Sequence, residues 1–215
     1  MTIPPTAEAA PRRWLGPLLR WALLPALLVY GLALLLSRAG GIEDTELVIR
    51  DLAQTCGYPL GVGLLSNLGY LLWMATAAIC LFTAFARLGG VAGRPRQLLL
   101  AGGAFSLLLC LDDMFLLHDR YISPNVLYLA YALFALLILF RFRPLVLRLG
   151  GPVFLVAVVL LGGSLVIDKI QKLLPFGYNN VQLVEEGLKF LGIASWLHFW
   201  WRASAGAARL ENGRS

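Results

Sequence analysis

Six apolar stretches, each about as long as a membrane is thick, dominate this chain and leave few folds open to it. They run from Leu15 to Leu36, Pro59 to Ala86, Gln97 to Leu117, Pro124 to Phe140, Pro152 to Leu174 and Gln182 to Trp201. Roughly 20 helical residues cross a hydrocarbon core, and a backbone in lipid must satisfy its hydrogen bonds within itself, so each stretch reads as a helix. Turn-forming groups separate them, among them Gly89-Gly90, Arg143-Pro144, Gly150-Gly151-Pro152 and Pro175-Phe176-Gly177. The predicted fold is all-α: a polytopic membrane protein with six transmembrane helices in one bundle. A cytoplasmic tail occupies residues 1–14, the helical domain 15–203 and a second cytoplasmic tail 204–215.

Composition agrees. Of 215 residues, 59% are hydrophobic and 14% charged, against about 25% charged in an ordinary soluble domain. The formal charge of +6 lies in short Arg clusters between apolar runs, which is topogenic charge and not a nucleic-acid face. Cys56, Cys80 and Cys110 have no metal-type spacing, and no disulfide framework follows from them. There is no Ser-His triad, nucleophile elbow, CxxC pair or phosphate-binding glycine loop, and no internal repeat.

Orientation follows from the basic residues of alternate loops. Twelve fall on one side: Arg12, Arg13 and Arg20; Arg87, Arg94 and Arg96; Arg141, Arg143 and Arg148; Arg202, Arg209 and Arg214. Five fall on the other, namely Arg38, Arg50, Arg120, Lys169 and Lys172. Positively charged loops stay cytoplasmic, so both termini are expected inside a plasma (inner) membrane. Trp14 and Trp21 on the first helix, with Trp196, Trp200 and Trp201 on the last, fit an aromatic belt at the inner interface, and His198 joins it. Arg12-Arg13 before an apolar run also has the look of an export signal, but the run is long and Ser37-Arg38-Ala39-Gly40 lacks a small-x-small cleavage site, so the helix is expected to be retained.

Acidic residues are distributed in the opposite sense. Ten of twelve lie toward the outer side. Glu43, Asp44, Glu46 and Asp51 belong to a predicted short amphipathic helix in the first outer loop, with Leu47, Val48 and Leu52 as its apolar side. The others converge in depth. At 1.5 Å per residue, Asp112 and Asp113 come ~22–24 Å from the inner start of helix three and Asp168 ~24 Å from that of helix five. Glu185 and Glu186 lie ~5 Å below the outer end of helix six and Lys189 ~10 Å below it, all within the outer third of the bilayer. Ser66 and Asn67 of helix two reach the same layer, and Asp119 marks its rim. Charges at that depth face a bundle interior or a water-filled cavity and count as functional candidates.

Local spacing sharpens this. Gly102, Ser106 and Cys110 form a small-residue seam on helix three, and Asp113 continues it, whereas Asp112 is displaced by about 100° onto the stripe of Phe115 and Asp119. Lys189 is i+4 from Glu185 and i+3 from Glu186, so either pair can meet on helix six. Five carboxylates beside one lysine cannot all remain ionised in a low dielectric; protons are held, a cation binds, or water enters.

Three function classes are compatible with this layer. One is a metal-assisted intramembrane hydrolase or related enzyme acting on a lipid or lipid-linked substrate. Its catalytic candidates are Glu185, Glu186, Lys189 and Asp113, and its ligand candidates for a divalent metal ion are Asp112, Asp113, His118, Asp168 and Glu186. His118 is i+5 from Asp113 and joins that set only if helix three ends near Leu117. A second is a proton- or cation-coupled transporter using the same carboxylates. The third is a non-catalytic assembly subunit with a membrane-protein partner. In every case the expected partners include membrane lipids, and nucleic acid is not among them.

Overall fold

The computed structural model describes residues 16, 18–49, 52–59, 61–173, 175 and 177–212. Among the described residues every regular element is a helix. The chain divides into two compact units, Met1–Val62 and Gly63–Ser215. The first predicted helix belongs to the first unit and the other five to the second.

In the first unit a π-helical turn, Leu19–Leu23, leads into helix α1, Leu24–Ala39. Pro25 has no N–H for the helical ladder, and the widened turn precedes it. Within the expected amphipathic helix of the first outer loop and just beyond it, the described helical residues are Glu46–Ile49 and Leu52–Cys56. Arg50 and Asp51 between them lie outside the described residues, as do Arg12, Arg13, Trp14, Leu15 and Arg214. So do the side chains of Trp21, Glu46, Leu52, Asp119 and Lys172.

Five long helices make the second unit. They are α2 (Leu64–Phe85), α3 (Gly93–Phe115), α4 (Pro124–Arg141), α5 (Arg143–Ile170) and α6 (Tyr178–Asn212). Among the described residues four helices, α2 to α5, are long and apolar enough to cross a membrane. The sixteen residues of α1 are apolar but shorter, and α6 carries Glu185, Glu186, Lys189, His198, Arg202 and Arg209 along its length.

The helix ends follow turn chemistry. Gly61 and Gly63 take positive φ just before α2, a conformation glycine adopts without penalty. Pro124 sits in the first turn of α4, where its missing N–H is harmless. Gly150, with φ 142° and ψ 46°, kinks α5 two residues before Pro152. The predicted break at Gly150-Gly151-Pro152 is thus a kink, and the preceding loop is instead a short helix. Leu145, Val146 and Leu149 supply its apolar stripe, and Val146 and Leu149 are buried.

Helix α6 packs along α5 and α2, α2 packs along α3, and an aromatic core fills the middle. Trp196 is its hub, with ring centroids 5.4 Å from Phe154, 5.5 Å from Trp200, 5.9 Å from Phe105 and 6.3 Å from Trp73. This corrects the aromatic-belt expectation. Trp196 and Trp200 are 1% and 0% exposed, and only Trp201 of the three faces outward. The reason is twofold. Helix α6 does not stop at Trp201 but runs to Asn212, burying Ala203, Ser204 and Ala207, so the indoles are interior to it. The small seam on α3 is also a socket for rings: a Cβ on Gly102 would fall within the Trp200 indole, and Ser106 Oγ accepts a 2.9 Å bond from Trp196 Nε1.

Candidate functional site

On the side of this core where Asp113 lies, α2 to α6 enclose a cavity of about 670 Å³. All six inward candidates read from the sequence, Asp112, Asp113, Asp168, Glu185, Glu186 and Lys189, line it, as does Ser66. Asn67 is exposed and does not. Asp113 extends the Gly102, Ser106, Cys110 seam inward as the spacing predicts. Asp112, assigned to a different stripe, is also turned in and is only 3% exposed. Phe115, on that same stripe, is 56% exposed. Adjacent residues 100° apart both reach the interior because α3 is packed on more than one side.

Asp113 is the best-held member. Its Oδ1 accepts a 2.8 Å charged bond from Lys189 Nζ, and its Oδ2 accepts a 3.0 Å bond from Trp73 Nε1. Three helices, α2, α3 and α6, therefore meet at one carboxylate. The ion pair joins α3 to α6, a contact between helices that the i+3 and i+4 spacing of Lys189 does not suggest. Two ionised partners at this distance neutralise each other, which lightens the charge load on the layer.

Asp168 is held separately, on α5. Tyr128 of α4 donates to its Oδ2 at 3.4 Å and Gln171 Nε2 to its Oδ1 at 3.2 Å. Tyr131, one turn along α4 from Tyr128, buries its hydroxyl beside Asp112. These tyrosines, with Tyr70, Trp73, Tyr178, Gln171 and Gln182, complete the polar wall. Sequence reading passed over them because an aromatic ring in an apolar helix reads as packing. A signal was present: Tyr70 and Trp73, and again Tyr128 and Tyr131, are i, i+3 pairs whose polar tips share one helix face.

Away from the carboxylates the lining changes. Phe105, Leu109, Ala132, Ala135, Leu136, Leu139, Phe154, Leu155, Val158 and Leu161 are all apolar. Along α5 the wall runs from Phe154 to Asp168, ~21 Å at helical rise. One end of the cavity is therefore hydrogen-bonding and charged, the other is hydrocarbon, and Phe105, Phe154 and Trp196 form its floor.

The metal assignment fares differently from the clustering. Among the described residues no three His, Cys, Asp or Glu side chains come together as a ligand set for a metal ion. Asp113 and Asp168 are each turned to their own partners on different walls. Helix α3 does break where His118 requires it, with Leu116 left-handed at φ 53° and a new turn over Leu117–Arg120. The side chain of His118 itself lies outside the described residues.

Fold and site together define a class: a helical protein built for a membrane, with an interior cavity that is charged at one end and apolar at the other. Within that class the chain belongs to a family described as a domain of unknown function (DUF8692), whose model matches residues 20–203. No curated protein and no solved structure matches it.

Proposed function

We propose that this is a multi-pass membrane protein that takes a lipid or lipid-linked molecule into the α2 to α6 cavity. The head group lies among Asp112, Asp168, Glu185 and Glu186, and the tail runs toward Phe154. The carrying observation is the polarity gradient along one continuous cavity, since an amphiphile gains from both ends and a small ion uses only one. The aromatic floor favours a site over a conduit, because a transmembrane ion path would have to pass Trp196 and Phe154 without polar partners. Asp168, Glu185 and Glu186 are the acid and base groups available for hydrolysis or transfer at the head group, while Asp113 and Lys189 fix the helices that carry them.

The test is lipid retention by detergent-purified protein, measured by mass spectrometry. Wild type is expected to hold about one lipid-like molecule per chain. Val158→Trp and Ala135→Trp, which fill the tail end, are expected to lower retention roughly tenfold, a change of about 1.4 kcal/mol, with thermal unfolding unchanged. Full retention in both folded variants, or no lipid in wild type, overturns the reading. Lipid-free wild type that co-purifies with a fixed membrane protein supports the assembly role instead. For the enzyme step, Glu186→Gln is expected to keep the lipid and abolish its turnover.

Topology belongs to the same proposal. Helices α1 and α6 also cross, which gives six spans with both termini cytoplasmic in the plasma (inner) membrane. A fluorescent reporter fused after Ser215 is expected to be active, and an export-dependent phosphatase inserted after Ser123 is expected to be active as well. Inactivity of both reverses the orientation.

A further inference from the structure

A second, smaller pocket of about 310 Å³ lies between α4 and α5, lined by Asn125, Tyr128, Leu165, Val166, Lys169 and Ile170. Tyr128 and Leu165 line the main cavity as well, so these two side chains are the partition between the pockets. Two consecutive residues of α5 face opposite sides of that partition. Asp168 lines the main cavity and accepts a bond from the Tyr128 hydroxyl at 3.4 Å, while Lys169 lines the small pocket with its ammonium 4.9 Å from the centre of the Tyr128 ring. Helix α4, which carries Tyr128, is lightly held: among its residues only Tyr131 and Ile138 are buried.

We infer that this α4/α5 partition is a lateral binding site for a zwitterionic phospholipid drawn from the surrounding leaflet, with its phosphate on Lys169 and Asn125 and its ammonium directed past Tyr128 to Asp168. The inference rests on the lipid-binding reading above and adds to it a head-group class and a side of approach. Charge order carries it. An anionic head suits Lys169 but then meets the carboxylates of the main cavity, and a purely cationic head suits those carboxylates but first meets Lys169. A head bearing a phosphate and an ammonium on a two-carbon bridge matches both sides in sequence. The Tyr128 ring between them can accept a cation on its face, and its bond to Asp168 is long enough to be given up cheaply. Leu165, Val166 and Ile170 cover the first part of the acyl chain.

Competition measures this. Purified protein is loaded from mixed micelles holding equal amounts of phosphatidylethanolamine, phosphatidylglycerol and diacylglycerol, and the bound lipid is counted by native mass spectrometry. Wild type is expected to prefer the zwitterionic lipid over each of the others by about tenfold. Lys169→Gln, at an exposed position that leaves folding intact, is expected to bring phosphatidylethanolamine and diacylglycerol to within about twofold of one another. Asp168→Asn is expected to remove the discrimination against phosphatidylglycerol. A wild-type preference for phosphatidylglycerol or diacylglycerol, or a preference that Lys169→Gln does not alter, overturns the inference. Val158→Trp separates the two levels: if it empties the protein while Lys169→Gln changes no preference, the cavity reading stands and the lateral site falls.

Discussion

Gly102→Leu is expected to abolish stable folding of the α2 to α6 bundle, with loss of a monodisperse peak in detergent and no cooperative thermal transition. The Gly102 Cα lies against the Trp200 ring, so that even a Cβ would overlap the indole at three ring carbons. Trp200 has nowhere to go. It is 0% exposed and packed between Phe199 and Trp196 at centroid distances of 5.0 and 5.5 Å, and its neighbour Trp196 is tied to Ser106 one turn along the same α3 seam. Overpacking of a filled core typically costs ~1–3 kcal/mol, and here the rigid ring and the helix backbone leave no rotamer that relieves it, so the upper end or beyond is expected. Trp200→Leu in the same chain vacates that volume and should restore a cooperative transition. A Gly102→Leu protein with wild-type thermal stability would mean that the indole does not occupy the seam. The neighbouring Gly103, which faces Leu81 and Cys80 of α2, gives an internal comparison, because flexible Leu81 can yield where Trp200 cannot.

That seam also shows how far the sequence reaches. Its residues were recognisable as a close-packing stripe, and its continuation to Asp113 correctly placed a carboxylate inside, because both inferences use only the helical repeat. What fills the stripe is a different matter. Trp200 is 98 positions away, and nothing in local spacing distinguishes a tryptophan bound for an interface from one bound for a core. The decision was made by Ala203, Ser204 and Ala207, small residues that let α6 continue past the tryptophans against its neighbours. Lys189 illustrates the same limit. Helical spacing offered it Glu185 and Glu186, both real neighbours in sequence, but its bond goes to Asp113, 76 residues away, a partner that exists only once α3 and α6 are packed. The residues that depth counting sets at one level, Asp112, Asp113, Asp168, Glu185, Glu186 and Lys189, line one cavity, because the rise per residue is nearly constant. That counting located Asp168 beside the others, yet said nothing of Tyr128 and Gln171, which hold it. Gly-Gly-Pro marked an interruption at Gly150 that reads as a turn and is a kink, because the helix before it was obscured by Arg143 and Arg148 on its exposed side.

The Asp113 to Lys189 pair carries the other large expected effect. Asp113→Asn and Lys189→Met are each expected to destabilise the bundle by ~2–4 kcal/mol, somewhat below the 3–5 kcal/mol typical of breaking a fully buried pair. The discount reflects side-chain exposures of 13% for Asp113 and 32% for Lys189 into the cavity. Each single change leaves one uncompensated charge between helices, and that stranded charge, more than the lost attraction, is the source of the cost. Asparagine at 113 still offers a carbonyl oxygen to Trp73 Nε1, so the aspartate variant removes charge while preserving the acceptor. The double variant strands nothing. It is therefore expected to be more stable than either single one, with a coupling of ~1–3 kcal/mol in a double-mutant cycle read from thermal or denaturant unfolding. Additive losses would mean that the two side chains do not meet. The same double variant also separates pinning from chemistry. If the pair only locks α3 to α6 beside Trp73, the refolded double variant retains lipid and turns it over. If it retains lipid but loses turnover while Glu185 and Glu186 are intact, the ammonium of Lys189 acts on the head group, and the charge pair belongs to the reacting centre as well as to the frame.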